Sequence, residues 1–305
     1  MKKILITLFA ALLTISAAIA LKNQYSYKIP IHNRGISDAS KQGKLDLLFL
    51  GSSTFRSNID LLTLEKEYPN NYIISYGGNQ YVSCDIQYDE IKERFKEMPK
   101  LLILEFDPLI LEEEPDLSDS RVIWDLSFTG KLRLWDSLDN HIGDDFHLVY
   151  EYFITSGMDD LFTYPITEKI YAGRYYRGAK NSIVESPGID ALTNEEFDLS
   201  NKVIIPAQEY ALRELIDNCR ADGTNFIFIE SPHYSRLAND PKYIEHRQYL
   251  INIMEDSNVD YILSDYVNFD NNNPNYYEDM SHMSYKGKVA YSEALRPLLN
   301  NYFNR

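Results

Sequence analysis

Five short apolar runs constrain this chain more than anything else in it. They are Leu45–Leu50, Tyr72–Ser75, Leu101–Phe106, Phe226–Glu230 and Tyr261–Leu263. Short apolar runs of this kind are what strands buried on both faces look like. Between or after them lie helical patterns over roughly 59–68, 81–97, 206–221, 241–256 and 284–300. Strands alternating with helices predict right-handed βαβ units around a parallel sheet. The expected fold class is α/β, a three-layer α/β/α sandwich with about five strands.

The chain has 305 residues, 44% of them hydrophobic, enough for a sizeable core in one large domain or two ordinary ones. Its formal charge of −16 repels phosphate backbones, and no basic stripe offsets it, so nucleic acid is not an expected partner. At the N-terminus, Lys2 and Lys3 precede an uncharged apolar run, Ile4 to Leu21, containing Ala18-Ile19-Ala20. That pattern predicts export. It leaves open a cleaved secretory leader with an A-x-A site or a retained anchor near the lower length limit for a span. Residues 22–44 read as a polar lead-in to a domain running from 45 to 305. The only cysteines, Cys84 and Cys219, fall in helical patterns and read as buried free thiols, although an exported protein permits a disulfide. No His/Cys cluster has metal spacing, so neither metal nor cofactor is expected.

From about 108 to 205 the alternation breaks. This stretch carries Glu112-Glu113-Glu114 and the aromatics Trp124, Trp135, Tyr175 and Tyr176. It reads as a partly helical insertion leaving the carboxyl edge of the third strand, where open α/β sheets bind ligands. It is either a wall of a substrate site or a surface decoration.

Two motifs stand out. The first apolar run stops at Gly51-Ser52-Ser53, and just before the last helix lies Asp279-Met280-Ser281-His282. Either alone is weak: serine and glycine are ordinary turn residues, and Asp-x-x-His is common as a surface pair. Together they suit nucleophilic catalysis, because a doubly wound sheet can bring both to one carboxyl edge. An imidazole can take the proton of Ser53 while the carboxylate three residues earlier holds its other nitrogen. Ser284 is placed to cap the helix that follows.

These residues resemble the SGNH (GDSL-like) hydrolase family. Gly51-Ser52-Ser53 stands for its first block, with Ser53 in the nucleophile's place, and Asp279 and His282 match its last. The resemblance implies a flavodoxin-like SGNH fold and an acyl-serine intermediate. Its second block would be residues 75–80, with Gly78, and next Gly77, as the backbone oxyanion donor. Its third block carries an asparagine, and here Asp107 stands instead; an ionised carboxylate cannot donate. Either Asn79 replaces that donor, or the hole consists of the N–H groups of Ser53 and Gly78. This departure, the Gly-Ser-Ser form and the apolar leader resemble a branch that includes the D-alanyl transfer protein of teichoic-acid modification and the alginate O-acetylation proteins. That branch implies an acylated carbohydrate or cell-envelope polymer as substrate and a membrane-bound O-acyltransferase as a neighbour. His233 and Arg56 are further candidates for substrate contact, against the plainer readings of a loop histidine and a surface salt bridge. The expectation is an exported serine esterase or O-acyltransferase. The alternative is a non-catalytic polysaccharide-binding or assembly protein on the same scaffold.

Overall fold

The apolar runs form one sheet. The computed structural model describes residues 35–75, 81–113, 175–180, 183–194 and 197–303, positions 9 and 13, and, between 125 and 133, all but 128 and 131. The strands are β1 (Leu47–Gly51), β2 (Asn71–Ser75), β3 (Leu101–Phe106), β4 (Tyr175–Tyr176), β5 (Ala179–Lys180), β6 (Phe226–Glu230) and β7 (Tyr261–Ile262). Five of them lie in the order β2-β1-β3-β6-β7, and every pairing among these is parallel. The α-helices whose bounds lie among the described residues are α1 (Gly35–Ala39), α2 (Ser53–Asn58), α3 (Leu61–Leu64), α4 (Tyr81–Arg94), α5 (Ile189–Asn194), α6 (Pro206–Ala221), α7 (Ser235–Ala238), α8 (Pro241–Asp256) and α9 (Tyr285–Phe303).

Strand side chains alternate between two cores. Leu48, Leu50, Leu102, Leu104 and Phe228 pack with α4, α6 and most of α8. Phe49, Leu101, Ile103 and Ile227 pack with α2, α3 and α9 on the other face. Continuous apolar strands are therefore required, because neither face meets water. Strand order reverses at β1, which has β2 on one side and β3 on the other. The carboxyl ends of β1 and β3 thus flank the crevice where such sheets place ligands.

Helix boundaries have local causes. Pro206 opens α6, and Pro241 opens α8 behind an Asp240 cap that accepts from Lys242 and Tyr243 N–H. The helix expected over 59–68 is instead two short ones. Ser52 caps α2, so the helix starts at Ser53 itself, and Asp60 caps α3 after a break at Ile59.

The described part of the insertion is a hairpin as well as a helix. β4 and β5 pair antiparallel across Arg177 and Gly178, with φ of 48° and 87°. Two positive φ values suit a tight hairpin turn. The turn sits on the edge of β2, where Ile73 N–H donates to Arg177 O at 2.9 Å. A Cβ on Gly178 would lie 1.8 Å from Ile73 O, so only glycine fits there. From this edge the segment runs along residues 274–288. Lys180 pairs with Glu278 at 2.8 Å, Tyr285 N–H donates to Val184 O at 2.8 Å, and Ser186 Oγ donates to Pro274 O at 2.6 Å.

Among the described residues no helix is long and apolar enough to cross a membrane. The N-terminal leader and most of the insertion lie outside the described residues. Cys84 and Cys219 are free and buried, and burial pushes both thiols well up from their ordinary range.

Candidate active site

β1 ends at Gly51, and the chain enters α2 with no intervening loop. Ser52 is extended, with φ −87° and ψ −171°, and its Oγ accepts from Thr54 N–H at 3.0 Å. Ser53 is therefore the first helical residue, and its own N–H has no intrahelical acceptor. It is partly exposed, whereas Ser52 is buried.

His282 reaches this hydroxyl from a distant part of the chain. Its Nε2 lies 3.1 Å from Ser53 Oγ, and its Nδ1 lies 2.8 Å from Asp279 Oδ2. With Nδ1–H donating to the carboxylate, Nε2 is left as the acceptor for the serine proton. The other Asp279 oxygen accepts from Ser281 and His282 N–H, both at 2.8 Å. Burial opposes the charge on Asp279. The His282 hydrogen bond and charge, with the two backbone donors, outweigh it and hold the carboxyl below its ordinary 3.8. Ser284 accepts from Gly287 N–H at 3.3 Å and so caps α9 directly behind this loop.

Asn58, which the sequence did not single out, joins the two halves. It ends α2 and is fully buried. Its Nδ2 donates to Ser281 O at 3.0 Å and its Oδ1 accepts from Met283 N–H at 2.8 Å. One short helix thus carries Ser53 at its start and, at its end, a side chain gripping the backbone on both sides of His282. Nothing in the sequence marked it, because no helix was expected over residues 53–58 and its partners lie more than 200 residues away.

Asp107 and His233 come together rather than standing apart. Asp107 Oδ1 accepts from Leu109 N–H at 2.9 Å and lies 3.5 Å from His233 Nε2; both side chains are buried. Burial opposes a charge on His233, but Asp107, Glu230 and Glu105 outweigh it and raise its pKa above 6.5. The His233 stretch also backs the loop that carries Asp279 and His282: Tyr277 Oη donates to His233 O at 3.1 Å, and Tyr234 N–H donates to Met280 O at 2.9 Å. A cleft of about 380 Å³ opens beside His233, lined also by Glu230, Tyr243, Arg247 and Asn271. Arg56 lies in the last turn of α2 and is partly buried. Gly77, Gly78 and Asn79 lie outside the described residues, which resume at Tyr81. Ser75, at the end of β2, donates its hydroxyl to Ser52 O, next to Ser53. Among the described residues no group of three or more His, Cys, Asp or Glu is placed to hold a metal ion.

No family model and no curated protein matches this chain. Among solved structures, one described as a putative acylhydrolase from Bacteroides fragilis NCTC 9343 is similar over 88% of this chain and 96% of that one. The identity is 10% and the TM-score 0.43, a likeness too loose to bear on function.

Proposed function

We propose that this chain is a serine esterase or O-acyltransferase of the SGNH type, acting on acyl esters of an envelope polysaccharide, with acetyl the favoured group. The observation that carries it is the unbroken chain Ser53–His282–Asp279, at 3.1 and 2.8 Å, assembled from opposite ends of the sequence. His282 Nε2 takes the Ser53 proton as Oγ attacks the ester carbonyl. Asp279 holds the tautomer and balances the imidazolium. The Ser53 N–H is one donor to the oxyanion, and the Gly78 N–H expected from the sequence is the second. His282 then returns the proton to the leaving sugar oxygen, leaving an acyl-serine. Water completes hydrolysis; a second sugar hydroxyl completes transfer. The apolar leader supports an exported setting, and an envelope O-acyltransferase is the matching partner.

The experiment compares acetate release from p-nitrophenyl acetate and from acetylated oligosaccharides by the wild type and Ser53→Ala. Release that disappears in the variant supports the reading. The absence of release from both substrates by the folded wild type favours the second reading, a polysaccharide-binding protein on the same scaffold. Asp107 is the specific observation for that alternative, since it stands where a side-chain oxyanion donor is expected.

A further inference from the structure

The proton relay makes no use of one buried acid beneath it. Glu105 lies in β3, between Leu104 and Phe106, and is 1% exposed. Its Oε2 accepts the Ser52 N–H. Among the described residues its Oε1 has no hydrogen-bond partner. A buried carboxyl in an otherwise apolar strand is costly, and a Leu of similar size would be cheaper.

We propose that Glu105 is a positioning residue for the nucleophile: its carboxyl fixes the Ser52 peptide and thereby the place and orientation of Ser53. This rests on the serine-enzyme reading. Three atoms of Ser52 are held at once: N–H by Glu105, O by the Ser75 hydroxyl, and Oγ by Thr54 N–H. The residue before the nucleophile therefore has no freedom to swing, and only the first of these three bonds comes from beneath the sheet's end. Gly51 supports the same reading. A Cβ there would lie 2.5 Å from Glu105 Oε2, 2.7 Å from Glu105 Cβ and 3.0 Å from Phe55 Cδ2. The glycine that ends β1 is thus the space through which the carboxyl reaches the Ser52 amide. Gly51 itself does not need unusual backbone torsions, since it is absent from the glycines with positive φ.

Reach and ionisation are separable. Glu105→Gln keeps an acceptor at the same distance and cannot ionise. Glu105→Asp keeps the carboxyl and falls one methylene short. Glu105→Leu removes both while keeping the core apolar. The assay is the second-order rate of labelling by a fluorophosphonate, alongside the Ser52 amide resonance, which reports the hydrogen bond without any reaction. The expected result is Gln within a few-fold of wild type, with Asp and Leu slower by about 10², the usual loss for a reacting atom displaced by about an ångström. The Ser52 amide proton should stay downfield in Gln and move upfield in Asp and Leu. If Leu does not fold, the Gln–Asp contrast decides alone. Asp or Leu labelling at the wild-type rate overturns the proposal, as does Gln falling as far as Leu. A folded wild type that does not label, with its Ser52 amide still downfield, overturns the serine-enzyme reading and any role for Glu105 in that reaction.

Discussion

Replacing Glu105 by glutamine should change how stability depends on pH, and the direction is fixed by where the carboxyl sits. Burial, and secondarily the neighbouring Asp107 carboxylate, push Glu105 from 4.5 up to about 8. An acid whose folded pKa is raised binds its proton more tightly in the native state. Its folded form is then favoured at low pH and loses ground as pH rises from the unfolded value towards the folded one. The slope across that window is about 1.4 kcal/mol per pH unit, so the wild type should lose roughly 2–3 kcal/mol between about pH 5.5 and 7.5 from this group. His233 adds to the same trend: its pKa is raised, so its contribution is full below the ordinary value and fades as pH rises. Glutamine removes the first of these two contributions. It also removes one of the carboxylates that hold the His233 pKa up, which flattens the profile further. Urea denaturation of the wild type and Glu105→Gln at several pH values between about 5 and 8 measures the difference directly. The variant should gain on the wild type steadily as pH rises. A constant difference across the range would mean that Glu105 titrates as an ordinary exposed glutamate, and the account of its burial would be wrong.

Asn58→Ala strips the acceptor of Met283 N–H and the donor to Ser281 O; it should cost about 2–4 kcal/mol in denaturation and slow Ser53 labelling at least tenfold. Asp279→Asn should leave the fold intact but offer His282 a donor as well as an acceptor. Steady-state ester hydrolysis should fall by about 10³–10⁴, because the imidazole is no longer held in one tautomer. Arg247 makes a two-pronged pair with the buried Glu230 at 2.6 and 2.7 Å, so Arg247→Met should destabilise by about 3–5 kcal/mol in urea titration. Gly178→Ala should cost about 1–3 kcal/mol and expose the β2 edge, seen as faster amide exchange at Ile73.

Much of the architecture was readable because buried parallel strands leave no polar alternation to confuse. β3 and β6 begin and end where their apolar runs do, and α6 and α8 are marked by Pro206 and Pro241 at their first turns. The helix after β1 was misplaced because nothing in Ser-Ser-Thr-Phe looks helical; the Ser52 side chain makes it so by capping Thr54 N–H. Of the candidate site, the meeting of Ser53, Asp279 and His282 was legible from their joint placement along the chain. Asn58 and Glu105 were not, because their roles depend on partners far away in sequence. A glutamate in Leu-Leu-Ile-Leu-Glu-Phe reads as an interruption to a strand, and only the packed sheet shows its carboxyl passing Gly51. Likewise Gly51 read as a turn residue, whereas its reason is the acid that fills the space beside it. The hairpin at Arg177–Gly178 was not anticipated, and its seat on the β2 edge is a tertiary fact.

The central claim is that Ser53 is the group that becomes acylated. Wild-type protein treated with a fluorophosphonate, digested and mapped by mass spectrometry tests it most directly. The account predicts one stoichiometric adduct, on the peptide containing Ser53, absent from both Ser53→Ala and His282→Ala. A folded wild type that carries no adduct, or carries it on another serine, would contradict it.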